Sequence, residues 1–369
     1  MAMSIYKRDR QQWVPPHCPN RHCPFHHSPH GWRWRKHGTF RRQKPPYVVQ
    51  RYRCMLCGRC FSTQTFRTTY WHHKPHLQRW IFKLTVGGMA NRQIARALGC
   101  APSTVDHELA HLGRHCACFQ RQQLRGASPP DDIVADGLVS YEHSKFFKFE
   151  HLIAVERKTG YIPYFTDAPL RRSGRMTDEQ KQQRDELEAL LGKPDPKAVE
   201  KGMRELLEVT LRGAVRAVVR TDKHKAYPRA MRGLACEIEH RQTDSRDVRD
   251  CHNELWEINI LDTFVRHSSA NHRRKTIALS KRRQGSAERL LIFTVWRNSV
   301  KKRRELGDNV TPAMLKGVED RPLTERDILR KRLFPDRCDL PPRWLQYYWR
   351  EVQTPVLDRN RGHLRKYAF

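Results

Sequence analysis

Hydrophobic positions in this chain fall into short, separated runs, and their spacing changes character near residue 130. Before that point the clearest pattern has a helical period. In Asn91-Arg-Gln-Ile94-Ala95-Arg-Ala-Leu98-Gly99-Cys-Ala-Pro-Ser103-Thr-Val105-Asp106-His-Glu-Leu109, apolar residues recur four apart on either side of a glycine. This predicts two helices meeting at a tight angle, a helix-turn-helix. Ala95 allows close approach, Gly99 ends the first helix in a left-handed conformation, and Val105 with Leu109 plugs the second helix onto Ile94 and Leu98. Ser103 followed by Asp106 resembles a capping box, so the second helix is expected to begin at Ser103.

After the linker Gly126-Ala-Ser-Pro-Pro130 the runs become β-branched and aromatic. Residues 132–136 read as a buried strand ending in an acid, Asp136. Phe146 to Glu156 and Tyr161 to Phe165 read as a hairpin turning at Thr159 and Gly160. Residues 214–219 form a further strand that delivers Asp222 at its end, and residues 236–240 another. Asn259 to Arg266 opens a helix on which Asp262 and Arg266 share a face. Between these lies a stretch, Met176 to Glu208, with nine acids and one short stripe of Leu187, Leu190 and Leu191 before Gly192 and Pro194. It reads as two polar helices of an insertion.

Composition narrows the partner. The chain has 369 residues, more than the ~100 to 200 of a typical domain, with 71 Lys plus Arg against 39 Asp plus Glu, a net charge of +32 and a pI near 10.2. Such a field attracts polyanions, nucleic acid first. The 38% hydrophobic content and nine Trp argue against a wholly disordered basic chain. Neither a membrane span nor a hydrophobic signal region is read from the sequence, which points to a cytoplasmic protein. Residues 1–80 carry 16 Lys or Arg against the single acid Asp9, and residues 266–304 carry 13 against Glu288 alone.

Eleven Cys, several in close pairs, suit metal ligation in a reducing compartment better than a disulfide framework. Cys18 and Cys23, then Cys54 and Cys57 about 30 residues on, can close a tetrahedral structural zinc site. Short strand-like pieces at residues 47–52 and around Phe61 are typical of a zinc ribbon that has no core without its metal. Cys60, His22 and His26 are close enough in sequence to compete as ligands. In the helix-turn-helix, Ser103, Thr104 and His107 would face a major groove while Arg92 and Arg96 reach phosphates.

Two strand-end acids and a helix acid, Asp136, Asp222 and Asp262, can sit side by side, where a divalent cation relieves their repulsion most directly. Two Mg²⁺ (or Mn²⁺) ions held ~3.5 to 4 Å apart by such a trio perform phosphodiester chemistry. Thr221-Asp222-Lys-His-Lys-Ala226-Tyr227 resembles the second-aspartate motif of insertion-sequence DDE transposases. Arg274-Lys275-Thr276-Ile277-Ala-Leu-Ser280-Lys281 resembles a basic motif of their compact bacterial group. That group joins a zinc ribbon and a helix-turn-helix to an RNase H-like catalytic domain, and the resemblance covers roughly residues 18 to 300.

The resemblance implies a multidomain α+β/α/β chain. Its parts are a zinc ribbon (1–70), a helix-turn-helix DNA-binding domain (71–125), an RNase H-like mixed sheet with flanking helices (131–305, helical insertion about 171–212) and a basic aromatic tail (306–369). It implies that Asp136 and Asp222 are the first two metal ligands. The activity implied is Mg-dependent cleavage at an element's ends and strand transfer into target DNA. The partners are double-stranded terminal repeats and target, met by a homo-oligomer assembled on DNA in the nucleoid. Where the group has a Glu, this sequence has Asn259, with Asp262 as the nearest helix acid and Glu288 as a rival or supporting acid. Arg266, Arg273, Arg274 and Lys275 would flank the metals and hold the phosphate backbone. The tail from Thr324, with Trp344, Tyr347 and Trp349, is expected to pack on the catalytic domain or a partner subunit, with stacking on unpaired bases as the other reading. The non-enzyme alternative is a zinc-dependent DNA-binding regulator.

Overall fold

The computed structural model describes residues 13–43, 45–244, 246–273, 276–304 and 307–354. Arg274 and Lys275 lie outside the described residues. The chain divides into two compact units, one comprising residues up to 73 with Leu329–Arg337, the other comprising Lys74–Ile328 with the chain from Cys338 onward.

In the first unit a short helix α1 (Pro24–His27) precedes three antiparallel strands, β1 (Trp34–Arg41), β2 (Val48–Cys54) and β3 (Cys60–Ser62). The β1/β2 register shifts between Lys36 and Thr39. With so short a sheet the apolar core is almost wholly aromatic. Tyr52, Phe61 and Phe66 are buried, and Trp13, Trp32, Trp34 and Phe334 pack against them. Phe334 arrives on the returning segment 329–337, which is tied down where Arg332 N–H donates to the Phe66 carbonyl at 2.8 Å.

The second unit opens with α2 (Gln78–Val86), α3 (Asn91–Ala97) and α4 (Pro102–Gln123). Gly99 has φ +59°, Ile94, Ala95, Val105 and Leu109 are buried, and the turn is the one the spacing predicts. The helix start differs. Pro102 occupies the first turn of α4, Ala101 is the N-cap, and no side chain caps it. Asp106 instead accepts from Asn91 Nδ2. Proline's fixed φ suits the first helical position and displaces the boundary by one residue. The C-terminal half of α4 is buried on nearly every side, so the helix runs far past the turn.

Five strands follow: β4 (Asp132–Glu142), β5 (Phe147–Glu156), β6 (Phe165–Leu170), β7 (Arg216–Asp222) and β8 (Glu237–Thr243). Their order is β6-β5-β4-β7-β8. β5 is antiparallel to β4 and β6, whereas β7 is parallel to β4 and β8. The parallel neighbours need a crossover, and α6 (Ala198–Thr210) supplies it by packing on β6 and β5. Val199, Met203, Leu206 and Leu207 form its buried stripe. Only α5 (Asp178–Leu191), capped by Thr177 and without a buried residue, fits the polar insertion read from this stretch. A short α7 (Tyr227–Met231) follows β7.

Helix α8 (Trp256–Ser268) begins three residues before Asn259 and buries Ile258, Leu261 and Val265. In α9 (Arg283–Ser299) most residues are buried, because it is clasped by α4. At Gly113 of α4 an added Cβ would stand 2.8 Å from Glu288 Cβ. Short helices α10 (Pro312–Leu315) and α11 (Glu325–Ile328) lead to α12 (Pro342–Trp349). Trp344 and Tyr347 of α12 are buried against Phe165, so this part of the tail packs within the unit that carries the sheet. Asp167 on β6 is gripped by Arg283 and Arg343, at 3.1 and 2.5 Å, and by the Tyr347 hydroxyl. Among the described residues no helix is long and apolar enough to cross a membrane.

Candidate metal centres: a cysteine quartet and an acid cluster

The two cysteine pairs are delivered by two turns of the first unit. Cys18 and Cys23 lie just before α1. Cys54 ends β2, and Gly58, at φ +70°, lets the chain turn so that its amide donates to the Cys54 carbonyl at 3.1 Å. One sulfur from each of Cys18, Cys23, Cys54 and Cys57 lies within 4.8 Å of all the others. The Cys18 and Cys57 sulfurs are 3.6 Å apart. A zinc tetrahedron with ~2.3 Å bonds has edges of about 3.8 Å, so the quartet fits a structural zinc ion.

Burial works against a thiolate at Cys54, but the amides of Cys57 and Leu56 and the Trp32 indole bring its pKa down to about 7. Trp32 Nε1 donates to Cys54 Sγ at 3.3 Å. Burial pushes the Cys18 and Cys23 thiols up. The three competitors, Cys60, His22 and His26, stand outside the quartet, and His26 turns its Nδ1 to the Cys18 carbonyl at 2.7 Å.

The acids are assembled by the sheet. Asp136 does not end its strand; β4 runs on for six residues, to Glu142. What ends there is its partnership with β7. The two strands pair only from Asp132↔Val218 to Val134↔Arg220. Asp136 and Asp222 therefore lie two residues beyond the last pair, in register, at the mouth of the split. Each is fixed by a backbone amide, Asp136 by Gly137 N–H at 2.7 Å and Asp222 by His224 N–H at 2.9 Å. Asp262, on α8, has Arg266 of the next turn 3.8 Å away.

Charge ties these groups together. Burial, then the charges of Asp222, Asp262 and Glu150, push the Asp136 carboxyl up to about 7, with partial relief from the Gly137 amide. Burial and Asp222 raise Glu150 to about 7, opposed by Lys148. Buried Tyr227 of α7 lies in the same field, its hydroxyl pKa raised by burial and by Asp136, Glu150 and Asp222. The carboxyl oxygens do not all approach within 4.8 Å of one another as the sulfurs do. Glu288 is elsewhere: it pairs with Arg350 at 3.0 Å and accepts from Gln284 at 2.9 Å in the α4/α9 contact. Glu150 is the acid that the sequence reading missed. Its one signal was a carboxylate within the mainly apolar run Phe146 to Val155.

Of the expected DNA contacts, Arg92, Arg96 and Ser103 are exposed and Thr104 and His107 half-buried. Arg266 also donates to the His272 carbonyl at 3.4 Å, and Arg273 to the carbonyls of Gly88 and His267 at 3.3 and 3.2 Å.

No family model matches the chain, and no curated protein matches it. Among solved structures it is similar to a chain in the CryoEM structure of a simian T-cell lymphotropic virus intasome in complex with PP2A regulatory subunit B56 gamma. The identity is 12% and the TM-score 0.24, over 64% of this chain and 72% of that one. A likeness that distant carries no argument, and the chemistry has to be argued from the two sites.

Proposed function

We propose that this chain is a DNA transposase of the DDE/DDD type, whose second unit contains an RNase H-like catalytic domain. One observation carries the reading: Asp136 and Asp222 stand opposite each other two residues past the last β4/β7 pair, and the charges of Asp222 and of Asp262, on α8, both raise the Asp136 carboxyl. The sheet order and strand directions are those such a domain needs. Burial and its neighbours' charges oppose ionisation of Asp136, a condition a hard divalent cation would relieve, and the donor set is all oxygen.

Asp136, Asp222 and Asp262 would hold Mg²⁺ or Mn²⁺. When bound, the pair of ions supplies activation of an attacking oxygen and stabilisation of the leaving oxygen in an in-line displacement at phosphorus. The chain's own groups orient the site. The Gly137 and His224 amides fix the two strand carboxylates, and Arg266 sits where it offsets Asp262. Arg92, Arg96, Ser103, Thr104 and His107 would engage terminal-repeat DNA, with Arg266, Arg273, Arg274 and Lys275 on the backbone near the cut. The zinc ribbon would complete end recognition, and the active species would be a homo-oligomer on nucleoid DNA in the cytoplasm.

The test is cleavage of a terminal-repeat duplex, with nicking of supercoiled plasmid as a sequence-independent readout, in Mg²⁺ or Mn²⁺. Asp222→Asn should lower the rate on the order of 10²- to 10³-fold. Undiminished cleavage by that variant would remove the acid site. Wild-type binding without cleavage would favour a zinc-dependent DNA-binding regulator.

A further inference from the structure

The loop between α8 and α9 holds an apolar side chain out in solvent. Ile277 is 98% exposed, more than any other large apolar residue among those described. It sits in a turn where the Ala278 amide donates to Thr276 Oγ1 at 3.0 Å. No acid occurs between Asp262 and Glu288 in the sequence, and Ile277 is preceded there by Arg273, Arg274 and Lys275 and followed by Lys281 and Arg282.

The base of this loop is anchored. Asn271 Nδ2 donates to Ser280 Oγ at 3.0 Å, and both residues are buried. Ser286 Oγ of α9 lies 2.8 Å from His272 Nε2 and 2.8 Å from His151 Nε2. The β4/β5 register pairs Leu138 with His151 and Asp136 with Ile153, so alternation puts His151 on the sheet face that carries Asp136. On the helix side, Arg266 lies 3.8 Å from Asp262 and donates to the His272 carbonyl at 3.4 Å. The loop therefore rises from the Asp136 face of the sheet, tied to the helix that carries Asp262.

A lone exposed apolar residue is common on protein surfaces. One at the tip of an anchored turn, in a stretch whose charges are all positive, matches a particular device. Proteins that deform DNA insert Ile, Leu, Met or Phe between base steps and partly unstack them, while cations hold the phosphates on either side. We propose that Ile277 is a wedge that inserts between stacked bases of DNA held beside the acid site. The inference rests on the DNA-cutting reading of that site and adds how the duplex would be opened there.

The experiment uses the full, zinc-loaded chain without Mg²⁺, so that no strand is cut. The probe is a duplex of repeated TA steps, the kind most easily unstacked, in which 2-aminopurine replaces some adenines and brightens on losing its stacking partners. The wild type should raise the fluorescence on binding. Ile277→Ser should lose that rise, and Ile277→Phe should keep it. So exposed a side chain contributes nothing to the fold, so the melting temperature should be the same in all three. Ile277→Ser should also leave the salt dependence of binding unchanged, whereas Lys281→Gln should lower the slope of log affinity against log salt by about one and keep the rise. Binding by the wild type without a rise, or an undiminished rise in Ile277→Ser, would overturn the wedge. So would a serine variant that behaves as wild type on DNA but loses binding to phosphatidylserine vesicles, which would make the tip a membrane contact. The acid site is judged apart, by cleavage in Asp222→Asn, and either result can fail without the other.

Discussion

The sulfurs of Cys18, Cys23, Cys54 and Cys57 lie within 4.8 Å of one another, whereas Asp136 feels the charges of Asp222, Asp262 and Glu150 without all these carboxylates closing to that distance. The difference follows from how each set is delivered and from its charge. The cysteines come in two local pairs on tight turns, and a neutral thiol tolerates a neutral thiol at contact. The acids come from separate strands and a helix, and ionised carboxylates repel until a cation intervenes. A closed soft set suits a structural ion. An open hard set leaves coordination positions for solvent or a phosphate.

The sharpest way to break this comparison is to remove one sulfur. Cys54→Ser, or chelation of zinc from the wild type, should unfold the ribbon unit, since zinc binding to such sites is worth roughly 10 to 16 kcal/mol and is itself the folding energy. Hydrogen exchange should show protection lost throughout β1, β2 and β3 and retained in β4 to β8. Survival of the ribbon strands in excess chelator would mean that their aromatic core suffices without metal.

The acid cluster should behave in the opposite sense, because its metal-free form is destabilised by its own charges. Asp136 and Glu150 have folded pKa values near 7, above their ordinary 3.8 and 4.5. Between about pH 4 and 7 the folded chain binds more protons at these groups than the unfolded chain, so their contribution to stability falls as pH rises through that window. Asp136→Asn should flatten the fall in melting temperature relative to wild type, and Mn²⁺ should flatten it in the wild type. A variant whose pH profile superimposes on the wild type would show that the carboxyls do not share a field.

How much of this was legible in the sequence follows the same division. The quartet could be read because its ligands sit at short spacings that turns enforce. The helix-turn-helix could be read because Gly99, Ala95 and Val105 report local geometry. Its cap was misread because Ser103 and Asp106 fit the capping pattern while Pro102 had already claimed the first turn. Asp136 was recognised as an acid on a strand but placed at its end, since nothing local reveals that the split occurs in the β7 partnership and not in β4. Glu150 was missed because its burial over Gly137 appears only once β4 lies beside β5, and register between strands is not a local property. For the same reason α6 read as part of an insertion: its buried stripe has a purpose only once β5 and β6 are beside it.

A smaller effect sharpens the cysteine side. Trp32 Nε1 donates to Cys54 Sγ, and the ring stacks on Phe61 with centroids 5.7 Å apart. Trp32→Phe keeps an aromatic ring in that place and removes the N–H, so the ribbon should stay folded while zinc affinity drops roughly tenfold, measured by competition with a chromogenic chelator. Unchanged affinity would mean that the backbone amides alone set the thiolate.

The smallest expected effect is the most discriminating about ligand identity. Cys57 and Cys60 are both exposed and only three residues apart, so exposure cannot tell which of them belongs to the site. Strand register can. Cys60 opens β3 opposite Arg53, an exposed residue of β2, whereas Cys54, the next residue along β2, is turned inward and buried. Alternation therefore places the Cys60 sulfur on the outer side of the ribbon, where its nearest polar contact is the Gly58 carbonyl at 3.9 Å. Cys60→Ser should change stability by less than about 0.5 kcal/mol and leave the zinc content of the purified chain unaltered, while Cys57→Ser should lose the metal. Zinc loss in the Cys60 variant, with retention in the Cys57 variant, would exchange the fourth ligand and move the site from the turn to the start of β3.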